Sequence, residues 1–228
     1  MNAAIVTVGD ELLVGDTENT NATWLCARLA DRGVTVRRVS VVPDDVGEIA
    51  QVVNEHHAAY DAVIVTGGLG PTHDDVTMEA VAAAFGRTVE ANEEAATWLA
   101  SHGYSGEDLD EGTTHLPSGC RPPPNEAGVA PGAVVEYAYV LPGVPAEMRA
   151  MFERIADEFE GTRTHTVVVE VAEPESALLD RFETLRDRFD VRVGSYPGER
   201  VRVKLSATEA TEAERAAEWL RDRSDAVV

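Results

Sequence analysis

The chain has 228 residues with an apolar share of 44%, enough for one larger domain and a smaller one. Its 41 acidic residues outnumber its 19 basic residues, and the resulting net charge of −22 repels phosphate backbones and anionic headgroups. We therefore expect no nucleic-acid partner and no membrane partner. Residues 3–8 read as a strand with no basic leader before them, and no stretch has the length of an apolar membrane span, so the expected location is the cytoplasm.

The acidic residues are scattered along the chain and form no tail, and Lys204 is the only lysine. Such a surface repels itself in dilute buffer but is screened at molar salt, where the Debye length is about 3 Å. We infer a protein adapted to a salt-rich cytoplasm. Cys26 and Cys120 have no metal-binding spacing and form no disulfide framework, so reduced thiols are expected.

Strands and helices alternate through the first half of the chain. The pattern of apolar residues predicts strands at 3–8, 34–42 and 62–66, each followed by a helix, at 20–32, from 44 to about 57, and 75–85. This alternation predicts a doubly wound, mostly parallel sheet, in which ligands bind at the carboxyl ends of the strands.

The second half is more irregular. We predict a helix at 92–102, a loop at 116–131, short strands at 133–136 and 138–141, and a helix at 147–159 with Pro145 in its first turn. Gly161 marks a boundary between domains at 1–160 and 161–228. The second domain is predicted as a small α+β lobe of βαββα order, with strands at 165–171, 191–194 and 200–206 and helices at 175–188 and 211–223.

The most informative segment follows the third strand. Residues 66–77 read Thr-Gly-Gly-Leu-Gly-Pro-Thr-His-Asp-Asp-Val-Thr. Gly67, Gly68 and Gly70 allow the backbone to approach a ligand with its N–H groups. Asp74 and Asp75 are predicted at the start of a helix, where the dipole favours anions. A plain strand-to-helix turn with an acidic cap is the alternative.

Three acidic pairs follow predicted strands, namely Asp10-Glu11, Asp44-Asp45 and Asp74-Asp75. Because the carboxyl ends of parallel strands meet at one edge of a sheet, we expect these pairs to converge there. Carboxylates in such a cluster suit a divalent cation. Helix capping is the competing role for Asp44-Asp45. The adjacent His56 and His57 do not share a helix face and are predicted at the surface.

Several spaced motifs resemble the amino-terminal domain of the competence/damage-inducible protein CinA family, within the MoaB/Mog-like molybdopterin-binding superfamily. They are Gly-Asp-Glu-Leu-Leu-Val-Gly at 9–15, Asn-Thr-Asn at 19–21, the glycine segment at 66–77, Gly-Val-Ala-Pro-Gly at 128–132 after Asn125, Leu-Pro-Gly-Val-Pro at 141–145, and Val-Gly-Ser-Tyr-Pro at 193–197. The resemblance implies a three-layer αβα sandwich followed by the small α+β lobe. It also implies a third, deamidase domain in full-length relatives, for which we expect no room here.

The resemblance implies a function as well. Relatives are metal-dependent pyrophosphatases that act on ADP-ribose or FAD, whereas superfamily cousins adenylylate molybdopterin or insert molybdate. Asp75, Asp44 and Glu11 match catalytic acids of these other superfamily members. Asp74 stands where Mog-like members often have a basic residue, which argues against simple molybdopterin adenylylation. We expect Asp75 and Asp44 to be catalytic, with Glu11 and Asp74 as further metal ligands.

The remaining candidate residues would bind the organic ligand. Their backbone amides, hydroxyls or side-chain amides would contact phosphate, ribose or water, and the set comprises Gly67, Gly68, Gly70, Thr72, Thr77, Asn19, Asn21 and Asn125. Helix capping by Asn19 and a structural turn at Asn125 are the alternatives. For His73, beside the two aspartates, metal binding or a role as a base is one interpretation, and a solvent-exposed loop histidine is the alternative.

Three hypotheses of function remain open. The first is a pyrophosphatase that uses Mg²⁺, Mn²⁺ or Co²⁺, with potassium as a further ion, on a nucleotide such as ADP-ribose or FAD. The second is a protein of molybdenum-cofactor assembly that binds molybdopterin without hydrolysing it. The third is an interaction module with a vestigial site, since a homo-oligomer is expected from the resemblance.

Overall fold

A computed structural model describes residues 1–104, 109 and 112–226, and the chain forms two compact units. The first unit is Met1–Gly161 and the second begins at Thr162. In the described part of the chain, no helix combines the length and the apolar character that crossing a bilayer requires.

The first unit contains a five-stranded sheet and six α-helices among its described residues. Its elements in chain order are β1 (Asn2–Val8), α1 (Asp10–Leu13), α2 (Thr20–Asp31), β2 (Thr35–Val42), α3 (Val46–Ala59), β3 (Ala62–Thr66), α4 (Thr77–Ala84), β4 (Val89–Ala91), α5 (Glu93–Ser101), β5 (His115–Pro117), β6 (Ala133–Val135), β7 (Ala138–Leu141) and α6 (Pro145–Ile155). The strand order is β2-β1-β3-β7-β6, and only β6 pairs antiparallel to its neighbour. The carboxyl ends of β1, β2, β3 and β7 therefore meet at one edge.

The two faces of this sheet carry separate apolar cores. On one face, α2 and α6 pack against Ile5 and Ile64 of the central strands. On the other, α3 and α4 pack against Val6 and Val65. All four strand residues are fully buried, and burial of each contributes about 1.5–3 kcal/mol. Helices on both faces of a mostly parallel sheet form a three-layer αβα sandwich, so the predicted fold is confirmed.

The start of α4 differs from the prediction. The helix begins at Thr77, two residues later than expected, and Asp74 and Asp75 belong to the preceding loop. The physical reason is local: a carboxylate oxygen of Asp75 accepts hydrogen bonds from the N–H (3.0 Å) and the hydroxyl of Thr72, which closes a turn before the helix. The prediction that this acidic pair stands at the helix start is therefore wrong.

Three short elements escaped prediction. Helix α1 has only four residues, which is too few for a periodic pattern to reveal. Strands β4 and β5 have three residues each and pair antiparallel across a long connection. The predicted loop at 116–131 consequently begins inside β5. A pairing that depends on contacts between distant residues leaves little trace in a local sequence pattern.

His56 also differs from its prediction as a surface residue. It is only 9% exposed, and its Nε2 lies 2.9 Å from the hydroxyl of Ser40 on β2. Burial lowers the pKa of His56, and the nearby charge of Arg38 acts in the same direction, partly offset by Glu55. A buried histidine with a hydroxyl partner is satisfied while neutral, so protonation of His56 is unfavourable in the folded protein.

The second unit has the predicted βαββα order. Its elements are β8 (His165–Val171), α7 (Leu179–Arg188), β9 (Arg192–Tyr196), β10 (Val201–Ala207) and α8 (Ala210–Arg221). The three strands pair antiparallel in the order β8-β10-β9. Both helices pack on one face, where Val203, Leu205, Phe182 and Leu220 form part of a separate core. The small α+β lobe is thus confirmed.

Candidate functional site

A cleft of about 260 Å³ lies at the carboxyl edge of the five-stranded sheet. Its walls come from the ends of β1 and β3, from Asp44 just after β2, from the start of α2, and from the connection between β7 and α6. This is the edge at which open α/β sheets bind their ligands. The cleft also takes in α1, which contributes Glu11 and Leu12.

Carboxylates dominate the polar lining of the cleft. The structure brings together the four predicted metal ligands Glu11, Asp44, Asp74 and Asp75, and adds Glu18. No lysine, arginine or histidine occurs among the described residues that line it. Sequence reasoning missed Glu18 because it lies in a polar loop that follows no strand. Each of the three acidic pairs therefore contributes at least one carboxylate to the cleft, whereas Asp10 and Asp45 do not line it.

The neighbours Asp44 and Asp45 have different roles. Asp45 is the N-cap of α3, where its carboxylate accepts a hydrogen bond of 2.9 Å from the Glu48 N–H. Asp44 instead lines the cleft and accepts a hydrogen bond of 3.0 Å from the Asp10 N–H. Partial burial raises the pKa of Asp44, and the negative charges of Asp10, Glu11 and Asp74 add to the increase, although the Asp10 N–H opposes it.

The glycine loop is held tightly against its surroundings. Gly67 and Gly68 line the cleft with backbone φ angles of 102° and 63°, which strongly favour glycine. A Cβ atom at Gly67 would collide with the Val8 carbonyl, and one at Gly68 with the Thr77 hydroxyl. A Cβ at Gly70 would lie 2.5 Å from a carboxylate oxygen of Asp75. Packing alone therefore requires glycine at these positions.

The amides of this loop are not equally available. The Gly67 N–H donates to the Leu141 carbonyl at 3.2 Å, so it is engaged within the fold. Among the described residues no backbone partner is found for the Gly68 N–H, which makes Gly68 the better candidate donor. Gly70 does not line the cleft.

Asn19 and Asn21 line the cleft and also support its walls. Asn19 caps α2 by accepting a hydrogen bond of 3.1 Å from the Ala22 N–H, and it donates to the Thr7 hydroxyl at 2.9 Å. Asn21 donates to the Gly143 carbonyl at 2.7 Å, which ties α2 to the connection before α6. The capping role considered for Asn19 is present, and it does not prevent contact with a ligand.

Three further candidates do not line the cleft. Thr72 supports Asp75, as described above, and Thr77 is fully buried beneath Gly68. Asn125 is 1% exposed and donates to the Ala130 carbonyl (2.9 Å) and to the Glu147 carboxylate (2.7 Å). These contacts fix the turn that follows Asn125. Asn125 thus has the structural role that was the alternative to ligand binding.

His73 projects into solvent. Its side chain is 99% exposed, and its Nδ1 lies 3.7 Å from a carboxylate oxygen of Asp74. An exposed imidazole is free to rotate and to exchange its proton with water, so it lacks the fixed position that a catalytic base requires.

The acidic residues do not form a ready-made metal cage. Among residues 1–104, 109 and 112–226, no three histidine, cysteine, aspartate or glutamate side chains are grouped closely enough to share one ion. This donor set fits Mg²⁺ of the kind bound by one or two carboxylates, with the remaining positions filled by water and substrate phosphate. It does not fit a structural ion enclosed by protein ligands.

Comparison with known proteins identifies the first unit. Residues 4–160 match the family model described as a probable molybdopterin binding domain. The chain belongs to this molybdopterin-binding family. A similar solved structure is that of the CinA protein of Thermoplasma acidophilum, described as being of unknown function. It shares 37% identity with this chain, the match covers 69% of this chain and 97% of that protein, and the TM-score is 0.64. The first unit is accordingly a CinA-type domain of the molybdopterin-binding family.

Two relatives extend the match into the second unit. A protein of Archaeoglobus fulgidus is 40% identical over 198 residues, which is 86% of this chain and 86% of that protein. A protein of Thermococcus kodakarensis is 38% identical over an alignment that spans 98% of this chain and 97% of its own. The CinA-type domain and the small lobe therefore occur together in these relatives.

Proposed function

We propose that the cleft binds a phosphate-bearing nucleotide or pterin together with a divalent cation, and that the domain hydrolyses the pyrophosphate bond of a compound such as ADP-ribose or FAD. The observation that carries this proposal is the charge of the lining, since five carboxylates and no basic side chain line the described cleft. An anionic phosphate is repelled from such a surface unless a cation accompanies it.

Each part of the cleft has a role in this proposal. Asp44 and Asp75 are the foremost ligands for the cation, with Glu11 and Asp74 close by, and Asp10 holds Asp44 in place through its N–H. The Gly68 N–H donates to a phosphate oxygen. Asn21 and Asn19 orient the ribose or a water molecule. A bound divalent cation supplies charge neutralisation at the phosphoryl oxygens and lowers the pKa of a coordinated water.

A product assay with matched variants tests this proposal. Purified protein in molar KCl is incubated with ADP-ribose or FAD, with and without Mg²⁺, Mn²⁺ or Co²⁺, and AMP is quantified. We expect AMP release that requires the metal and is reduced at least about a hundredfold by Asp44→Asn. Asp45→Asn removes the same charge one residue away but retains a good helix cap, so its activity should stay close to that of the unchanged protein.

A second candidate function is binding of molybdopterin without hydrolysis. The description of the matched family as a probable molybdopterin binding domain favours it. In that case the protein would bind a phosphorylated pterin, release no AMP from either nucleotide, and lose pterin binding in Asp44→Asn. If neither ligand binds, and Asp44→Asn changes only self-association, the third hypothesis of an interaction module replaces both.

A further inference from the structure

The charge of the chain is divided unevenly between the two units. Residues 1–161 contain 27 acidic and eight basic residues, whereas residues 162–228 contain 14 acidic and 11 basic residues. The first segment therefore carries −19 and the second only −3. The expectation of no nucleic-acid partner rested on the net charge of the whole molecule, which conceals this difference.

One face of the three-stranded sheet in the second unit is open. Along β10, Val201, Val203 and Leu205 are buried under the helices, so Arg202 and Lys204 point to the opposite face, where both are exposed. In register with them on β9 lie Tyr196 opposite Arg202, and Gly194 opposite Lys204. On β8, Glu170 lies opposite Arg202 and Val168 opposite Lys204.

We define the open face as this surface. It comprises Arg192, Gly194, Tyr196, Arg202, Lys204, Ser206, Thr166, Val168 and Glu170.

The open face presents cations that lack acidic partners. No carboxylate among the described residues lies within ion-pair distance of Arg192, Arg202 or Lys204. The single acid of the face, Glu170, has its charge offset by Arg200 at 3.9 Å. Lys204 is the only lysine in the chain. Within the part of the chain that the structure describes, this one surface thus carries three cations with no ion-pair partner.

An aromatic ring lies among these cations. Tyr196 is 50% exposed, and its ring lies beside Gly194, where an added Cβ would approach the ring atoms to 3.2 Å. Glycine at this position therefore leaves room for the ring on the sheet. Val168, which is 51% exposed, adds an apolar contact surface on the neighbouring strand. The face thus combines a flat ring and apolar surface with positive charge.

We propose that the open face binds single-stranded nucleic acid. Proteins that bind single strands combine cations along the phosphate backbone with exposed aromatic rings on which bases stack. Arg192, Arg202 and Lys204 supply the cations, and Tyr196 supplies the ring. An isologous contact with a second copy is disfavoured because it would bring like charges together. The proposal is independent of the chemistry in the cleft of the first unit.

Fluorescence anisotropy with short labelled oligonucleotides tests the proposal on the full chain at several KCl concentrations. The probes are single-stranded RNA, single-stranded DNA and an abasic strand of equal length and charge. We expect both single strands to bind and the abasic strand to bind about tenfold more weakly, because it cannot stack. Tyr196→Leu should reduce binding by a similar factor, whereas Tyr196→Phe should not.

Charge reversal provides the second arm. Arg202→Glu with Lys204→Glu should weaken binding at least about tenfold and reduce the slope of log affinity against log salt by about 1.4, since each lost phosphate contact removes about 0.7. The matched control is Arg215→Glu with Arg221→Glu on α8, which packs on the other side of the sheet. This control variant changes the net charge by the same amount. This control should retain binding. Circular dichroism confirms that each variant is folded.

Three results would overturn the proposal. The first is the absence of binding by either single strand. The second is equal binding of the abasic strand, which would indicate electrostatic attraction of any polyanion without base stacking. The third is equal loss in the α8 control, which would assign the effect to net charge. If the double charge reversal failed to fold, comparing the binding of Tyr196→Leu with that of Tyr196→Phe would still test the proposal. Both variants should fold, because the exposed ring makes little contribution to the core.

Discussion

At the scale of single residues, two neighbouring aspartates have different roles, one in helix stability and one in the candidate site. Asp45 caps α3, and Asp44 lines the acidic cleft. Sequence reasoning recognised both roles for the pair but could not assign them, because the assignment depends on which carboxylate faces the helix N-terminus. Only the folded backbone determines that orientation.

These two roles predict different effects on the free energy of unfolding when Asp45 and Asp44 are substituted. Asp45→Ala leaves the Glu48 N–H without its cap and should lower the free energy of unfolding by about 1 kcal/mol. Asp44→Asn removes a carboxylate whose pKa is raised by burial and by neighbouring acids, so it should leave stability unchanged or increase it. Urea unfolding in molar KCl measures both. A larger loss in Asp44→Asn than in Asp45→Ala would contradict the assignment.

His56 provides a prediction of pH dependence. Its pKa is lowered from 6.5 in the folded protein, so as the pH falls below about 6.5 the unfolded chain takes up a proton that the folded chain does not. Stability should therefore decrease between about pH 7.5 and pH 5.5. Part of that decrease should disappear in His56→Gln. Thermal unfolding at a series of pH values gives the comparison, and an identical pH profile in both proteins would refute it.

At the scale of elements, the regular parts of the fold were predictable and the site loop was not. The apolar strands β1 and β3 and the amphipathic helices α2 and α3 follow from local pattern, since burial on the sheet selects their residues. The loop before α4 depends on the contact between Asp75 and Thr72, and on the fit of Gly68 against Thr77. The first contact is a local turn and the second joins the loop to the helix, and neither leaves a periodic apolar pattern in the sequence.

Two glycines with nearly equal backbone angles test this packing. Gly68 and Gly86 have φ angles of 63° and 62°, but a Cβ at Gly68 would collide with the Thr77 hydroxyl, whereas one at Gly86 would meet no atom within 4 Å. Gly86→Ala should cost only the left-handed backbone penalty of about 1–2 kcal/mol. Gly68→Ala should cost clearly more and also impair ligand binding. Equal losses of unfolding free energy would argue against a tight contact.

At the scale of the whole molecule, the uneven charge predicts uneven dependence on salt. Repulsion within residues 1–161, which carry −19, should destabilise that unit most in dilute buffer, and molar KCl should screen it because the Debye length falls to about 3 Å. Hydrogen exchange at low and high KCl reports each unit separately. Protection should rise with salt far more in the first unit than in the second, and a uniform change across both would count against the charge argument.

We expect an anionic ligand to enter the acidic cleft only together with a divalent cation. Titration calorimetry with a non-hydrolysable ADP-ribose analogue, with and without Mg²⁺ in molar KCl, measures this dependence directly. We expect tight binding with Mg²⁺, at least about a hundredfold weaker binding without it, and loss of the Mg²⁺ effect in Asp44→Asn but not in Asp45→Asn. Equal affinity with and without the cation, unchanged in Asp44→Asn, would contradict it.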